Sequence, residues 1–123
     1  MNTVELVYAL KSRLYDNAIN LYKDAYNKPV DGSDDYSEAI KTFQTLSEKE
    51  KEHILFLIRT VIWDTMSDML SWLDGNYLLT GQTDDAELKI NENKMNGSLQ
   101  DIWASIEEDM SKEDIEEFYS VSH

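Results

Sequence analysis

The sequence contains no cysteine, one proline, four glycines and two histidines among its 123 residues. Without cysteine the chain cannot form a disulfide, a thiolate metal site or a cysteine nucleophile. No G-x-x-x-x-G-K-[ST], G-x-G-x-x-G or G-x-S-x-G motif is present, so a phosphate-binding loop and a serine nucleophile elbow are also excluded. These absences predict no cofactor, whereas paired carboxylates for acid–base chemistry stay open, because an acidic chain offers many such pairs.

Basic side chains are scarce as well. Eleven Lys and Arg residues oppose 25 Asp and Glu residues, which gives a net charge of −14. A field of this sign repels nucleic acid and anionic membranes and attracts cations. We therefore expect no direct contact with nucleic acid or membrane. The charge either keeps the surface solvated or serves a basic protein partner, and composition alone does not separate these two readings.

The first residues lack the basic segment and the apolar run of a secretory signal, because Glu5 and Lys11 interrupt the pattern early. The absence of cysteine suits a reducing compartment. We predict a cytoplasmic protein.

The longest apolar pattern lies between Ser47 and Gly75. Ser47 and Glu50 have the S-x-x-E spacing of a capping box, and glycine commonly follows the end of a helix. Thirteen of the twenty residues from 54 to 73 are apolar. This predicts one long, mostly buried helix at the centre of the domain. Its charged residues leave no uncharged run long enough for a bilayer.

Helical spacing recurs on both sides of this segment. The apolar residues from Thr3 to about Asn27 predict a first long helix, in which Leu14 and Leu21 continue the apolar spacing, with Asn2 or Thr3 as its cap. Shorter helices are predicted through Leu46, from Ser98 to Met110 and after Ser111. Their predicted caps are Asp34 or Asp35, Ser98 and Ser111. The segments 76–80 and 86–91 have the composition of short strands and predict a hairpin. The expected fold is mostly α: a single helix-rich domain over residues 1–123, a bundle of four to five helices around the long central helix, with a small β-hairpin.

Glu50 and His53 form an E-x-x-H pair, the helical spacing that di-iron bundles use twice. The second copy is missing, so we predict no metal site. A small helical metal-binding protein or enzyme that uses this pair with Asp64 and Asp68 is the further alternative. Those two aspartates lie on a solvent-facing edge of the long helix or line a cleft, and the sequence leaves both open.

Acidic residues are concentrated near the carboxyl end. Residues 98–123 contain eight acidic residues and one lysine, a net charge of −7. Three of the acids crowd the end of a predicted helix, where the helix dipole disfavours anions by about 0.3–1 kcal/mol each. Such a feature is either a solvated exterior or a binding surface. The predicted partner-binding residues combine these acids with two aromatic anchors: Asp101, Trp103, Glu107, Glu108, Asp109, Glu113, Asp114, Glu116, Glu117 and Tyr119.

Three segments resemble the bacterial immunity proteins of contact-dependent and other polymorphic toxin systems: the helix from Leu57 to Leu73 that ends in Leu73-Asp74-Gly75, the strand-like Ala86 to Ile90, and Ser98 to Trp103. They span about the last two-thirds of the chain. The resemblance implies a protein that is not an enzyme and that binds a cognate toxin, often a cationic nuclease, and occludes its active site. The close alternative is a phage-type DNA mimic that inhibits a restriction or CRISPR nuclease.

Overall fold

The computed structural model describes residues 1–121, with side chains through Tyr119. The chain begins with α1 (Thr3–Leu10), a π-helical segment (Lys11–Asp16) and α2 (Asn17–Tyr26), which together form one continuous helix. The other elements are α3 (Asp35–Gln44), α4 (Glu48–Leu73), β1 (Lys89–Ile90), β2 (Asn93–Lys94), α5 (Leu99–Glu107) and α6 (Lys112–Val121). Residues 1–121 therefore contain five helices and a two-stranded antiparallel sheet, which confirms the predicted mostly-α fold with a small hairpin.

The chain divides into two compact units. The first, here named the acidic unit, comprises Met1–Lys11 and the chain from Asp64 onward, and the second, the near-neutral unit, comprises Ser12–Trp63. Each has its own apolar core. Val7, Leu70 and Trp103 are among the fully buried side chains of the acidic unit, and Ile40 and Leu55 are buried in the near-neutral unit. Whether the two units act as the single domain predicted above stays a prediction.

Four helix starts are fixed by the local side chains that the sequence predicts. The Ser47 amide donates to the Glu50 carboxylate at 2.9 Å, and the Glu50 amide donates to the Ser47 hydroxyl at 3.1 Å, as in a capping box. The hydrogen bond from the Ser47 amide to the Glu50 carboxylate is the main cause that holds the pKa of Glu50 below its usual value. The same kind of cap forms at three other helix starts, through the side chains of Asn2, Asp34 and Ser111.

The expected burial of the long helix is wrong. Within α4 only Leu55, Met66 and Leu70 are buried, whereas Leu57 is 57% exposed and Val61 is 63% exposed. A helix that is apolar around most of its circumference normally packs on several sides. In this structure most of the apolar side chains of α4 are exposed or half-buried.

The π-helical segment explains why Leu14 and Leu21 do not continue the buried face of the first helix, as the sequence predicts. An α-helical period carried through residues 11–16 places Leu14 and Leu21 on the same face as Val7. A π-helical turn holds more residues than an α-helical turn, so it shifts the register of everything that follows. Val7 is fully buried, but Leu14 is 41% exposed and Leu21 is 68% exposed, while Ile19 is buried in their place.

The hairpin lies later in the chain than predicted. Ile90 pairs with Asn93, and the two turn residues Asn91 and Glu92 have positive φ angles of 51° and 67°. Positive φ at both central positions is the geometry of a type I′ turn, in which asparagine is favoured and glutamate is not. The segment 76–80 is not a strand. Its backbone is held by Gln82, which accepts from the Leu79 amide and from the Trp72 indole.

Two polar side chains join the end of α4 to the start of α5. The Asp74 carboxylate accepts from the backbone amides of Gly97, Leu99 and Gln100 at 2.6, 3.2 and 2.8 Å. Asp74 therefore supplies the cap that the sequence assigns to Ser98, which makes no capping hydrogen bond with its side chain. The Asn96 amide group donates to the carbonyls of Leu73 and Ala86 and accepts from the Leu88 amide.

Replacing Asp74 by asparagine should lower the free energy of unfolding by about 2 kcal/mol, because hydrogen bonds to a charged acceptor are roughly twice as strong as neutral ones and a carboxamide has only one acceptor oxygen. Urea denaturation followed by circular dichroism measures the change. Asp24→Asn, at an exposed position on α2, is the control and should shift stability by less than about 0.5 kcal/mol. Equal effects in the two variants would contradict the role of Asp74.

Candidate functional site

The predicted acidic residues occupy the last two described helices and the turn between them. Asp101 and Glu107 lie on α5, and Glu108 and Asp109 follow it. The remaining four acids lie on the first two turns of α6: Glu113, Asp114, Glu116 and Glu117. All eight side chains are exposed, apart from Glu116, which is half-buried.

Negative charge extends well beyond this segment. The acidic unit contains 16 acidic and 4 basic residues, a net charge of −12, whereas the near-neutral unit contains 9 acidic and 7 basic residues, a net charge of −2. Nearly all of the net charge therefore belongs to one unit, which ordinary solubility does not require. A cation approaching the acidic unit is attracted from a distance of roughly a Debye length, about 8 Å at physiological salt.

A surface depression of about 930 Å³ lies within the acidic unit. Its rim carries Glu5 from α1 and Glu113, Glu116 and Glu117 from α6, with Lys94 from β2 as the single basic lining residue. Its lining also includes the buried apolar side chains of Val4, Met95 and Ile102. We name this feature the acidic groove.

The groove brings together only part of the predicted set. Glu113, Glu116, Glu117 and Tyr119 line it, whereas Asp114 and the acids of α5 and its following turn do not. Tyr119 packs edge-on against Phe118, with ring centroids 4.9 Å apart, and Phe118 is 59% exposed. An aromatic pair therefore lies beside the carboxylates of α6, as an anchor within a charged rim requires.

The prediction that Trp103 is a partner-binding anchor is wrong. Its side chain is fully buried in the core of the acidic unit, so it cannot serve as a surface anchor. The amphipathic spacing of α5 placed it on the buried face, and that signal outweighs the tendency of tryptophan to occur at interfaces.

Sequence reasoning missed the contribution of the amino-terminal residues. The Thr3 hydroxyl donates to the Met95 carbonyl at 3.3 Å, across 92 residues of sequence, and Glu5 joins the rim from the same end of the chain. The pKa of Tyr8 on α1 is raised, first by burial and then by the negative charges of Glu113 and Glu116. These contacts join residues that lie far apart in the sequence. No local sequence pattern predicts them, so only the tertiary structure reveals them.

Lys112 is the only basic residue between residues 98 and 123. Its ammonium lies 5.2 Å from the Tyr8 ring centroid and 3.9 Å from a carboxylate oxygen of Glu116. A cation–π contact and a half-exposed ion pair each contribute little to stability. They do, however, place this cation against the junction of α1 and α6, next to the groove carboxylates.

The turn after α5 is built on an unusual residue. The amide of Met110 donates to the Ser105 carbonyl and that of Asp109 to the Ile106 carbonyl, which is the Schellman pattern. Asp109 has a φ of 62°, a left-handed conformation for which glycine is preferred. The end of α4 shows the same pattern with Gly75, at a φ of 85°. The chain thus uses glycine at one such turn and a charged residue at the other.

The alternative metal site gains no support from the geometry. Within residues 1–121 no three His, Asp or Glu side chains are placed to hold a metal ion. The Glu50 carboxylate instead accepts from the Ser47 amide, so this half of the E-x-x-H pair serves the helix cap. Asp64 and Asp68 are exposed and do not line the acidic groove, which favours the solvent-facing edge among the two readings given above.

No family model, curated protein or solved structure matches this chain. In the part of the chain that the structure describes, no helix is long and apolar enough to cross a membrane.

Replacing Asp109 by glycine should raise the free energy of unfolding by about 0.5–1 kcal/mol, because glycine adopts the left-handed conformation without the steric cost of a Cβ atom. Thermal and urea unfolding measure the effect. Asp109→Asn removes the same charge at nearly the same volume and is the control. If glycine is no more stable than asparagine, the backbone conformation is not the source of strain at this turn.

Proposed function

We propose that this protein is an immunity-type inhibitor that binds a basic protein toxin, most simply a nuclease, and occludes its active site with the acidic unit. The observation that carries the proposal is the acidic groove: carboxylates on its rim, buried apolar side chains in its lining and a charge of −12 on the unit that contains it. The compartment we propose is the cytoplasm.

A groove of this composition suits the side chain of a lysine or an arginine. The aliphatic part of either residue can lie along apolar side chains while its charged end pairs with carboxylates. The half-buried ring of Tyr119 offers the apolar part of such a site, and Glu113 and Glu117 are among the carboxylates of its rim. The cationic residues with which a nuclease holds substrate phosphates are of this kind.

In this proposal the acidic residues at the end of α5, outside the groove, have a different role from those of α6. Glu107, Glu108 and Asp109 are exposed at the end of α5, where they disfavour their own helix but extend the negative field. Charges at the edge of an interface mainly raise the association rate and make it sensitive to salt. The acids of α6 should therefore govern dissociation, and those of the α5 turn should govern association.

The test begins with capture of the binding protein from a lysate of the native host at low salt. The captured protein, once purified, is assayed for nuclease activity with and without the inhibitor. We expect the activity to fall as the inhibitor is added and the dissociation constant to rise with ionic strength. A captured restriction or CRISPR nuclease would favour the DNA-mimic alternative, and binding that is indifferent to salt would overturn the electrostatic mechanism.

A pair of charge-matched variants locates the binding surface. Glu113→Gln, Glu116→Gln and Glu117→Gln together change the net charge from −14 to −11, as do Asp24→Asn, Asp31→Asn and Glu52→Gln in the near-neutral unit. Loss of the groove carboxylates should weaken binding of the captured protein at least about tenfold, or about 1.4 kcal/mol, whereas the control should bind as the wild type does. Isothermal titration calorimetry measures both, and equal losses would mean that only total charge matters.

A further inference from the structure

Asn96 and Gly97 form the only Asn-Gly pair in the sequence. Asparagine is a thermolabile residue, because the amide nitrogen of the next residue can attack its side-chain carbonyl carbon and close a five-membered succinimide ring. Glycine at the next position favours this attack, since it has no Cβ atom to hinder the approach. The chemistry of the pair is therefore that of spontaneous deamidation, a modification that needs no reagent other than water.

The deamidation of Asn96 consists of two steps. In the first, the Gly97 nitrogen gives up its proton and bonds to Cγ of Asn96, while the Cγ–Nδ2 bond breaks and ammonia leaves with that proton. In the second, water opens the ring at either of its carbonyl carbons, which leaves aspartate or isoaspartate at position 96. Because the ammonia is lost to solvent, the change is irreversible.

The fold makes use of both residues of this labile pair. The Asn96 carboxamide donates to the carbonyls of Leu73 and Ala86 at 2.6 and 2.8 Å and accepts from the Leu88 amide at 2.9 Å. A carboxylate at this position has no hydrogen to donate. Gly97 has a φ of 130°, a conformation that residues with a Cβ atom rarely adopt. The junction between α4 and α5 therefore requires a pair of residues that is chemically labile.

The contacts of the junction also oppose the reaction. The Gly97 amide donates its proton to the Asp74 carboxylate at 2.6 Å. Removal of that proton would place an amide anion beside a carboxylate, and a neighbouring charge of the same sign disfavours ionisation. The attack also turns the planar Asn96 carboxamide into a tetrahedral centre, which disturbs the three hydrogen bonds that hold it. The closed junction thus protects the pair that it contains.

We propose that Asn96 is a deamidation site that the hydrogen bonds of Asp74 and Asn96 protect in the folded chain, and that reacts when this junction opens. Local openings expose such groups without unfolding the whole chain. The product carboxylate faces the Leu73 and Ala86 carbonyls without a donor, so the junction cannot re-form with its original hydrogen bonds. Each opening that leads to reaction is therefore recorded permanently in the covalent structure. This inference does not rest on the proposed inhibitor function.

The first test compares the folded full chain with a synthetic peptide of residues 92–100 at physiological temperature and mildly alkaline pH. Peptide mapping by mass spectrometry measures the fraction of Asn96 that has become aspartate or isoaspartate. Conversion should be at least about tenfold slower in the full chain, because only the open fraction reacts. Equal rates in the chain and the peptide would overturn the proposal.

A pair of variants tests whether Asp74 provides the protection. Asp74→Ala removes the acceptor of the Gly97 amide, and alanine is used because asparagine before Gly75 would create a second Asn-Gly pair. Val7→Ala is the control, since it removes part of a fully buried side chain in the same unit and leaves the junction residues in place.

The two variants are compared at equal unfolded fractions, which are set by adding urea to the more stable one. Asn96 should deamidate at least about fivefold faster in Asp74→Ala than in Val7→Ala, because local opening adds to global unfolding only in the former. Equal rates would show that Asp74 does not protect the site.

Asn96→Asp reproduces one product of the reaction and tests its consequence. The urea midpoint of this variant should fall, and a chain that no longer folds is the extreme of the same result. Asn20→Asp makes the same chemical change at an exposed position on α2 and should leave the midpoint nearly unchanged. If both variants are as stable as the wild type, deamidation does not disable the junction and the proposal is wrong.

Discussion

The carboxylate of Asp74 is the contact on which the arrangement of the acidic unit depends. It accepts from three backbone amides at the start of α5, each of which lies at least 23 residues further along the chain. A helix start leaves its first amides without partners inside the helix, and an anion placed there also interacts favourably with the helix dipole. Asp74 therefore fixes where α5 begins relative to the end of α4, using a single side chain.

Asn96 completes this junction and connects it to the groove. Its side chain ties the intervening segment to Leu73 and to Leu88, and the neighbouring Met95 accepts from Thr3 at the other end of the sequence. Met95 and Asn96 both line the groove. The position of the groove thus follows from a small set of polar contacts between segments that lie far apart in the sequence.

The features that the sequence predicts correctly are those whose causes lie within a few residues. The cap at Asn2, the capping box of Ser47 and the glycine at position 75 each act over one turn of helix, and all three occur as expected. The cap of α5 was assigned to Ser98 because no local rule points to a residue 24 positions earlier. The π-helical segment was not predicted either, because the apolar spacing was interpreted with a single α-helical period and the segment itself contains no buried residue.

The candidate site likewise combines features that local sequence predicts with features that depend on long-range contacts. Exposure of the α6 carboxylates follows from the amphipathic spacing of that helix, but their meeting with Glu5 requires the contact between the two ends of the chain. The burial of Trp103 agrees with its helical spacing, which places it with Leu99 and Ile102 on the apolar face of α5, whereas its choice as an anchor followed residue type.

The long helix shows why composition alone overestimates burial. Apolar residues surround most of α4, yet only Leu55, Met66 and Leu70 among its residues are buried. Burying a leucine is worth about 1.5–3 kcal/mol, and an exposed one forgoes this gain. Leucine at position 57 and valine at position 61 therefore add little to the stability of the chain.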